Sequence, residues 1–323
     1  MVIVYVLAGL LGFIVIALFA AGYIAFKMSL TRVEKRPEVQ KAGEEEKAKG
    51  RVRIDANKAG TEYLHGLLPE DVALQSRDGL ELKGYYLPAA KPSNKLAVLV
   101  HGYTATGPGE FGGFLKFYRE ELGFNILLPD HRCHGRSGGK YVGFAALEWQ
   151  DMLDWAAAFV DRLGPDPQVV LHGISMGAAT VMNCNAHNPP DYVKCVVEDC
   201  GYTNGYEMLW LAARRDLKMN IPPVMWAMAM YYRIFTGKSL RKDADPFGNI
   251  DKFKAPTLFV HGADDPFVPA EMSVRCHGAA TVEKDLLLIP GAAHAMAYFT
   301  DKATYEAKLR EWYAKWMPEK VTA

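Results

Sequence analysis

Residues 169–179 read VVLHGISMGAA, an apolar run that meets Gly173-Ile174-Ser175-Met176-Gly177 and continues into small residues. A serine with glycines two before and two after it fits a sharp strand-to-helix turn, where only glycine lets the two backbones close without a side-chain clash. In that geometry Ser175 presents its hydroxyl as a nucleophile, and the backbone N–H of Met176 points at the same place to supply half of an oxyanion hole. The competing explanation is an ordinary turn whose serine caps the following helix. Acyl transfer by serine also needs a base, a carboxylate to orient it and donors for the developing oxyanion. His294 suits the base: it follows the last strand-like run at Gly291-Ala292-Ala293, and an imidazole of pKa about 6.5 can take and return a proton near neutrality. Asp264 and Asp265 follow an earlier strand-like run. Being adjacent they must point differently, and their types alone leave both open as the acid.

These residues need elements that bring them to one edge. Residues 72–74 and 80–86 flank Arg77-Asp78-Gly79 and predict a hairpin with a D-G turn. Short apolar runs at 96–100, 124–129, 168–171, 193–197, 257–260 and 286–289 read as strands, those at 96–100 and 168–171 as buried ones. Residues 148–163 carry Trp149, Met152, Leu153, Trp155, Ala156 and Phe159 at helical spacing and end at Gly164-Pro165, and a last helix is predicted over 309–316. Between 202 and 251 the strand–helix alternation stops, aromatic and Met residues accumulate, and Pro222-Pro223 separates two helical patches. A connection of that length has its own structure or function. It is predicted to be a helical lid, with Trp210, Met225 and Trp226 contributing to an acyl pocket, the alternative being an outer helical layer with its own packing.

His101-Gly102-Tyr103-Thr104 leaves the end of one strand-like run, and Asp130-His131-Arg132-Cys133-His134-Gly135-Arg136-Ser137 leaves the next. With these loops the chain resembles the serine α/β-hydrolase superfamily over about 70–317, as a membrane-anchored esterase/lipase-like or serine aminopeptidase-like member. The resemblance implies an α/β-hydrolase fold, a mostly parallel central sheet flanked by helices. It places the second oxyanion donor on the N–H of Tyr103 and gives His101 a structural part in that turn. It implies a D-x-R-G-x-G-x-S loop, with Cys133 where glycine is common, that Asp130 and Arg136 brace. The HG-x-x-D-x-x-V-P pattern selects Asp265 over Asp264. The order Ser175, Asp265, His294 is that of the superfamily.

Composition bounds the rest. In 323 residues, Lys+Arg and Asp+Glu both number 37, so no global field recruits nucleic acid. Five cysteines without C-x-x-C spacing argue against a disulfide framework or a zinc ribbon and predict free thiols near the core. His131, Cys133 and His134 crowd one short loop without a second ligand pair, so no metal site is predicted, and no organic cofactor either. Residues 2–26 carry no charge; as a helix they would extend roughly 37 Å, enough to cross a hydrocarbon core of about 30 Å. No basic residue precedes them, as a secretory signal would require. They are predicted to be a single-pass anchor, and Lys27, Arg32, Lys35 and Arg36 on its C-terminal side place the following domain in the cytoplasm.

The predicted organisation is an anchor over 1–27, a charged juxtamembrane tether or solvated helix over 28–58, and the hydrolase domain over 59–323 with its lid at about 202–251. The predicted function is hydrolysis of carboxylic esters of hydrophobic acyl groups, lipid-derived esters among them, through an acyl-serine intermediate. A serine aminopeptidase or thioesterase would use the same three residues, and an inactive membrane-tethered binding module could keep the fold. The expected partners are a small-molecule ester and the membrane, with no nucleic acid.

Overall fold

The computed structural model describes residues 1–32, 44–216, 218 and 220–318. The 29-residue helix α1 (Val2–Leu30) is followed by α2 (Glu44–Gly66) and the hairpin β1 (Glu70–Gln75) and β2 (Glu81–Leu87). Then come β3 (Lys95–Val100), the short α3 (Gly107–Phe111), β4 (Asn125–Pro129), α4 (Glu148–Val160), β5 (Gln168–Ile174), α5 (Met176–Ala186) and β6 (Val193–Asp199). The chain continues through α6 (Gly205–Asp216), α7 (Pro222–Thr236), β7 (Thr257–Gly262), α8 (Glu271–Ala279), β8 (Lys284–Ile289), α9 (Ala297–Thr300) and α10 (Lys302–Trp316).

Among the described residues one eight-stranded sheet runs in the order β1-β2-β4-β3-β5-β6-β7-β8. β1 and β2 pair antiparallel, β2 meets β4 antiparallel, and every pairing from β4 through β3 to β8 is parallel. Every residue of β4, β5 and β7 is buried, which explains why these strands read as unbroken apolar runs. One face packs on Phe111, Phe114, Tyr118, Tyr305 and Trp312, and the other on Met152, Trp155, Phe159 and Val181 of α4 and α5. The parallel order carries the C-terminal ends of β3, β5, β6, β7 and β8 to one edge, where open α/β sheets gather their ligand sites.

From Glu44 the segment read as a tether or a solvated helix is helical, and it is longer and more firmly packed than expected. α2 starts at Glu44 and runs through the boundary drawn at 58. Its Asn57 Oδ1 accepts the Gly113 N–H at 2.9 Å, Arg53 pairs with the buried Glu110, and Leu64 lies fully inside the core. Residues 28–30 complete α1, and Thr31 forms an antiparallel bridge with Tyr141. The rest of the predicted tether, 33–43, lies outside the described residues. α1 is long and apolar enough to cross a membrane, and its N-terminal two-thirds stand exposed. The predicted lid region forms α6, begun by Asn204 Oδ1 accepting the Tyr206 and Glu207 N–H groups, and α7, begun at Pro222 and closed by Gly237 in the left-handed region. All five cysteines are buried free thiols.

Candidate active site

Ser175 sits between β5 and α5 with φ +57° and ψ −115°, a conformation an L-residue keeps only where its surroundings impose it. The glycines around it show how. A Cβ on Gly173 would overlap the Gly177 carbonyl, and one on Gly177 would overlap the Val100 carbonyl at the end of β3. The Ser175 N–H donates to Asp199 O at 2.8 Å, which ties the turn to β6. Its side chain makes no capping bond to α5, so the helix-cap explanation of this serine does not hold.

The hydroxyl is instead 2.9 Å from His294 Nε2, and His294 Nδ1 is 2.7 Å from Asp265 Oδ2. Asp265 Oδ1 accepts the N–H groups of Phe267 at 2.7 Å and Val268 at 2.9 Å. Burial pushes the Asp265 carboxyl up, but hydrogen bonds from His261 and His294 outweigh it and hold the group well below the usual carboxylate range. Asp264 is exposed and, among the described residues, accepts the Gly291 N–H at 3.0 Å. The structure therefore brings Ser175, His294 and Asp265 into one line and leaves Asp264 outside it.

The His101–Thr104 turn lies against this line. Gly102 Cα faces Ser175 closely enough that a Cβ there would stand 3.3 Å from the serine Cβ. His101 donates from Nδ1 to Gly102 O at 2.7 Å and accepts the His131 N–H at Nε2, 2.9 Å away. Burial holds this imidazole down at about 4, so it stays neutral in the tautomer that fixes the Gly102–Tyr103 peptide. In a trans peptide the Tyr103 N–H then points away from His101. Met176 is buried at the start of α5. Asp130 and Arg136 brace the loop after β4: Asp130 Oδ2 accepts the backbone N–H of Arg136 at 3.0 Å and stands 3.8 Å from Nε of its guanidinium, which also reaches toward Gly84 O and Asp71. The buried ionic brace is Arg132 on Asp151, at 2.7 and 2.8 Å, because Arg132 is the side chain that points inward.

Residues 97–307 match the alpha/beta hydrolase family. The chain belongs to that family. The hydrolase is 26% identical over 238 residues to YqkD of Bacillus subtilis (strain 168), covering 74% of this chain and 77% of YqkD. Lysophosphatidylserine lipase ABHD12 of Macaca fascicularis is 24% identical over 214 residues, covering 61% of this chain and 48% of the lipase. Esterase PF2001 of Pyrococcus furiosus superposes with a TM-score of 0.64 at 21% identity, over 79% of this chain and 94% of the esterase.

The three predicted substrate-binding residues of the hydrolase separate. Met225 is buried in the apolar cluster that holds Met176. Trp210 and Trp226 line a cleft of about 480 Å³ with Tyr206, Pro222, Pro223 and Arg241, and Ser175 is not among its lining residues. Trp226 is 55% exposed and meets Phe19 of α1 edge-on at 6.0 Å, so it serves the helix–helix contact rather than the serine. Two neighbours of the site were not legible. His261 Nε2 stands 3.2 Å from Asp265 Oδ2 while its Nδ1 meets Ser273 Oγ at 2.7 Å. Cys200 places its sulfur within 4.8 Å of Asp265 and His294. Burial pushes that thiol well up, which disfavours the thiolate a metal would require. His261 is the first residue of the HG-x-x-D-x-x-V-P pattern, which fixed Asp265 without assigning the histidine a partner, and the only signal for Cys200 was its position at the end of a strand.

Proposed function

We propose that the protein is a membrane-anchored serine hydrolase that cleaves carboxylic esters of hydrophobic acyl groups through an acyl-Ser175 intermediate. The observation that carries this reading is the continuous line from Ser175 Oγ through His294 to Asp265, at 2.9 and 2.7 Å, on a serine held at positive φ. His294 Nε2 takes the hydroxyl proton as Oγ attacks the ester carbonyl carbon, and Asp265 supports the imidazolium. The N–H groups of Tyr103 and Met176 receive the oxyanion. Collapse expels the alcohol, which takes its proton from His294, and water repeats the sequence to release the acid.

Several features support the substrate class. The cluster beside Met176 contains Tyr202, Met208, Met225, Met228 and Met272, an adaptable apolar wall suited to an acyl chain. α6 and α7 would form the lid over it. The esterase of Pyrococcus furiosus and the lysophosphatidylserine lipase of Macaca fascicularis agree with an ester, lipid-derived substrate. α1 would be the anchor, with the basic residues after it keeping the domain on the cytoplasmic side.

A fluorophosphonate probe on the full chain tests the nucleophile: wild type labels and Ser175→Ala does not. Absence of labelling in the wild type would leave a binding module. A panel of p-nitrophenyl esters of graded acyl length, monoacylglycerols, thioesters and aminoacyl amides tests the bond. Turnover led by thioesters or amides would reassign the enzyme as a thioesterase or aminopeptidase.

A further inference from the structure

The last turns of α1 do more than leave the apolar segment. From Phe19 to Phe26 the helix lies along α7: Phe19 meets Trp226, Tyr23 meets Tyr231 at 5.2 Å, and Phe26 stacks on Phe235 at 5.2 Å. Gly22 marks the closest approach, since a Cβ there would overlap Ala227. Phe26 and Leu30 are at most 1% exposed and belong to the apolar cluster that holds Met176, the residue after the proposed nucleophile.

Two sets of polar contacts then join this helix end to the loops of the site. Tyr103 donates its hydroxyl to Ser29 O at 2.5 Å. The Val142 N–H donates to Leu30 O at 3.0 Å and the Arg32 N–H to Lys140 O at 3.1 Å. The Arg32 guanidinium reaches Gly135 O at 3.3 Å, Gly139 O at 3.4 Å and Ser137 O. The loop gripped by Arg32 is the one whose His131 N–H holds His101, and His101 in turn holds Gly102 O. The turn that carries the Tyr103 N–H is thus tied to residues 29–32 from both sides, directly through its own side chain and indirectly through the loop after β4.

We infer that the C-terminal turn of α1, with Thr31 and Arg32, is a structural wall of the active site that positions the oxyanion turn, and that Tyr103 is a positioning residue through its hydroxyl as well as a donor through its N–H. Displacing α1 from α7 therefore loosens the His101–Thr104 turn. The kinetic half of this inference rests on the serine-hydrolase reading; the structural half does not.

The test compares full-length wild type, Tyr103→Phe, Gly22→Leu and the double variant in detergent micelles. Hydrogen–deuterium exchange is expected to speed up over 101–106 in both single variants, and over 140–142 in Gly22→Leu, with β7 and β8 unchanged. With a short soluble ester, each single variant is expected to lower kcat about fivefold, the weight of one neutral hydrogen bond, with KM within about twofold. The double variant should fall no further than about the worse single variant, because both remove the same restraint. Tyr103→Phe is isosteric and keeps the test alive if Gly22→Leu does not fold. Unchanged exchange over 101–106 would overturn the inference whatever the chemistry. Faster exchange with unchanged kcat, or single effects that multiply, would overturn the positioning role. A wild type that neither labels with fluorophosphonate nor turns over ester, with the exchange changes present, would instead sink the serine-hydrolase reading and leave the wall in place.

Discussion

Replacing Asp265 by asparagine probes the proposed chemistry through a single atom. Oδ1 accepts two backbone N–H groups, from Phe267 and Val268, at 2.7 and 2.9 Å, so only a carbonyl oxygen can occupy that side. The new NH2 must then take the place of Oδ2, 2.7 Å from His294 Nδ1 and 3.2 Å from His261 Nε2. There it donates to Nδ1, which forces the His294 proton onto Nε2, facing the Ser175 hydroxyl. An imidazole in that tautomer cannot take the serine proton. A triad carboxylate converted to its amide with geometry kept costs about 10⁴-fold in kcat in the serine proteases, or roughly 5 kcal/mol of transition-state stabilisation. Asp264→Asn is the matched control, since its carboxylate accepts the Gly291 N–H at an exposed site and an amide oxygen can still accept it. The expected outcome in a p-nitrophenyl ester assay is a loss of about three to four orders of magnitude for Asp265→Asn and a change within about twofold for Asp264→Asn. A comparable loss in both, or an Asp265→Asn enzyme retaining more than about a tenth of its rate, would refute the assignment.

Three further outcomes follow from the same geometry. Gly177→Ala drives a Cβ into the Val100 carbonyl, so it should destabilise the fold by about 1–3 kcal/mol; a melting temperature within about 2 °C of wild type would show that the elbow can relax. Burial raises the Glu198 carboxyl to about 7. Its folded value lies above the unfolded one, so the stability it contributes is full below about pH 4 and is lost as pH rises through about 7. Glu198→Gln should raise the urea midpoint at about pH 8 and flatten its fall from about pH 5, and an identical profile would remove Glu198 as the cause. Protease added to intact cells should leave the domain uncut while alkaline carbonate leaves the full chain in the membrane fraction; a cut domain would reverse the sidedness read from Lys27, Arg32, Lys35 and Arg36.

What could be read in the sequence was governed by local rules. The elbow at Ser175 is marked by two glycines two residues on either side of the serine, Gly173 closing on Gly177 and Gly177 on the Val100 carbonyl at the end of β3, and the D-G turn between β1 and β2 by one dipeptide. β3 to β7 were legible because burial on both faces leaves a nearly unbroken apolar run, whereas β8, only partly buried, was legible from its leucines alone. Asp265 could be separated from Asp264 only by a motif, since nothing in two adjacent aspartates says which one meets His294. The apolar residues at 202–251 were read as a pocket because that stretch lies between core strands. Their physical cause is double: Met225 and Met228 do face the cluster around Met176, but Trp226, Tyr231 and Phe235 are apolar because α1 packs on them. That contact joins segments some two hundred residues apart, and no periodicity in either one announces a partner. The same holds for Gly22, which inside an apolar run is indistinguishable from Gly9 or Gly12 although only Gly22 has a neighbour that a Cβ would strike. A chain read as anchor, tether and enzyme is physically an enzyme whose first helix is built into the wall beside its proposed nucleophile, so cutting it at residue 58 would remove Ser29 and Arg32 from the loops they hold and split α2 in two.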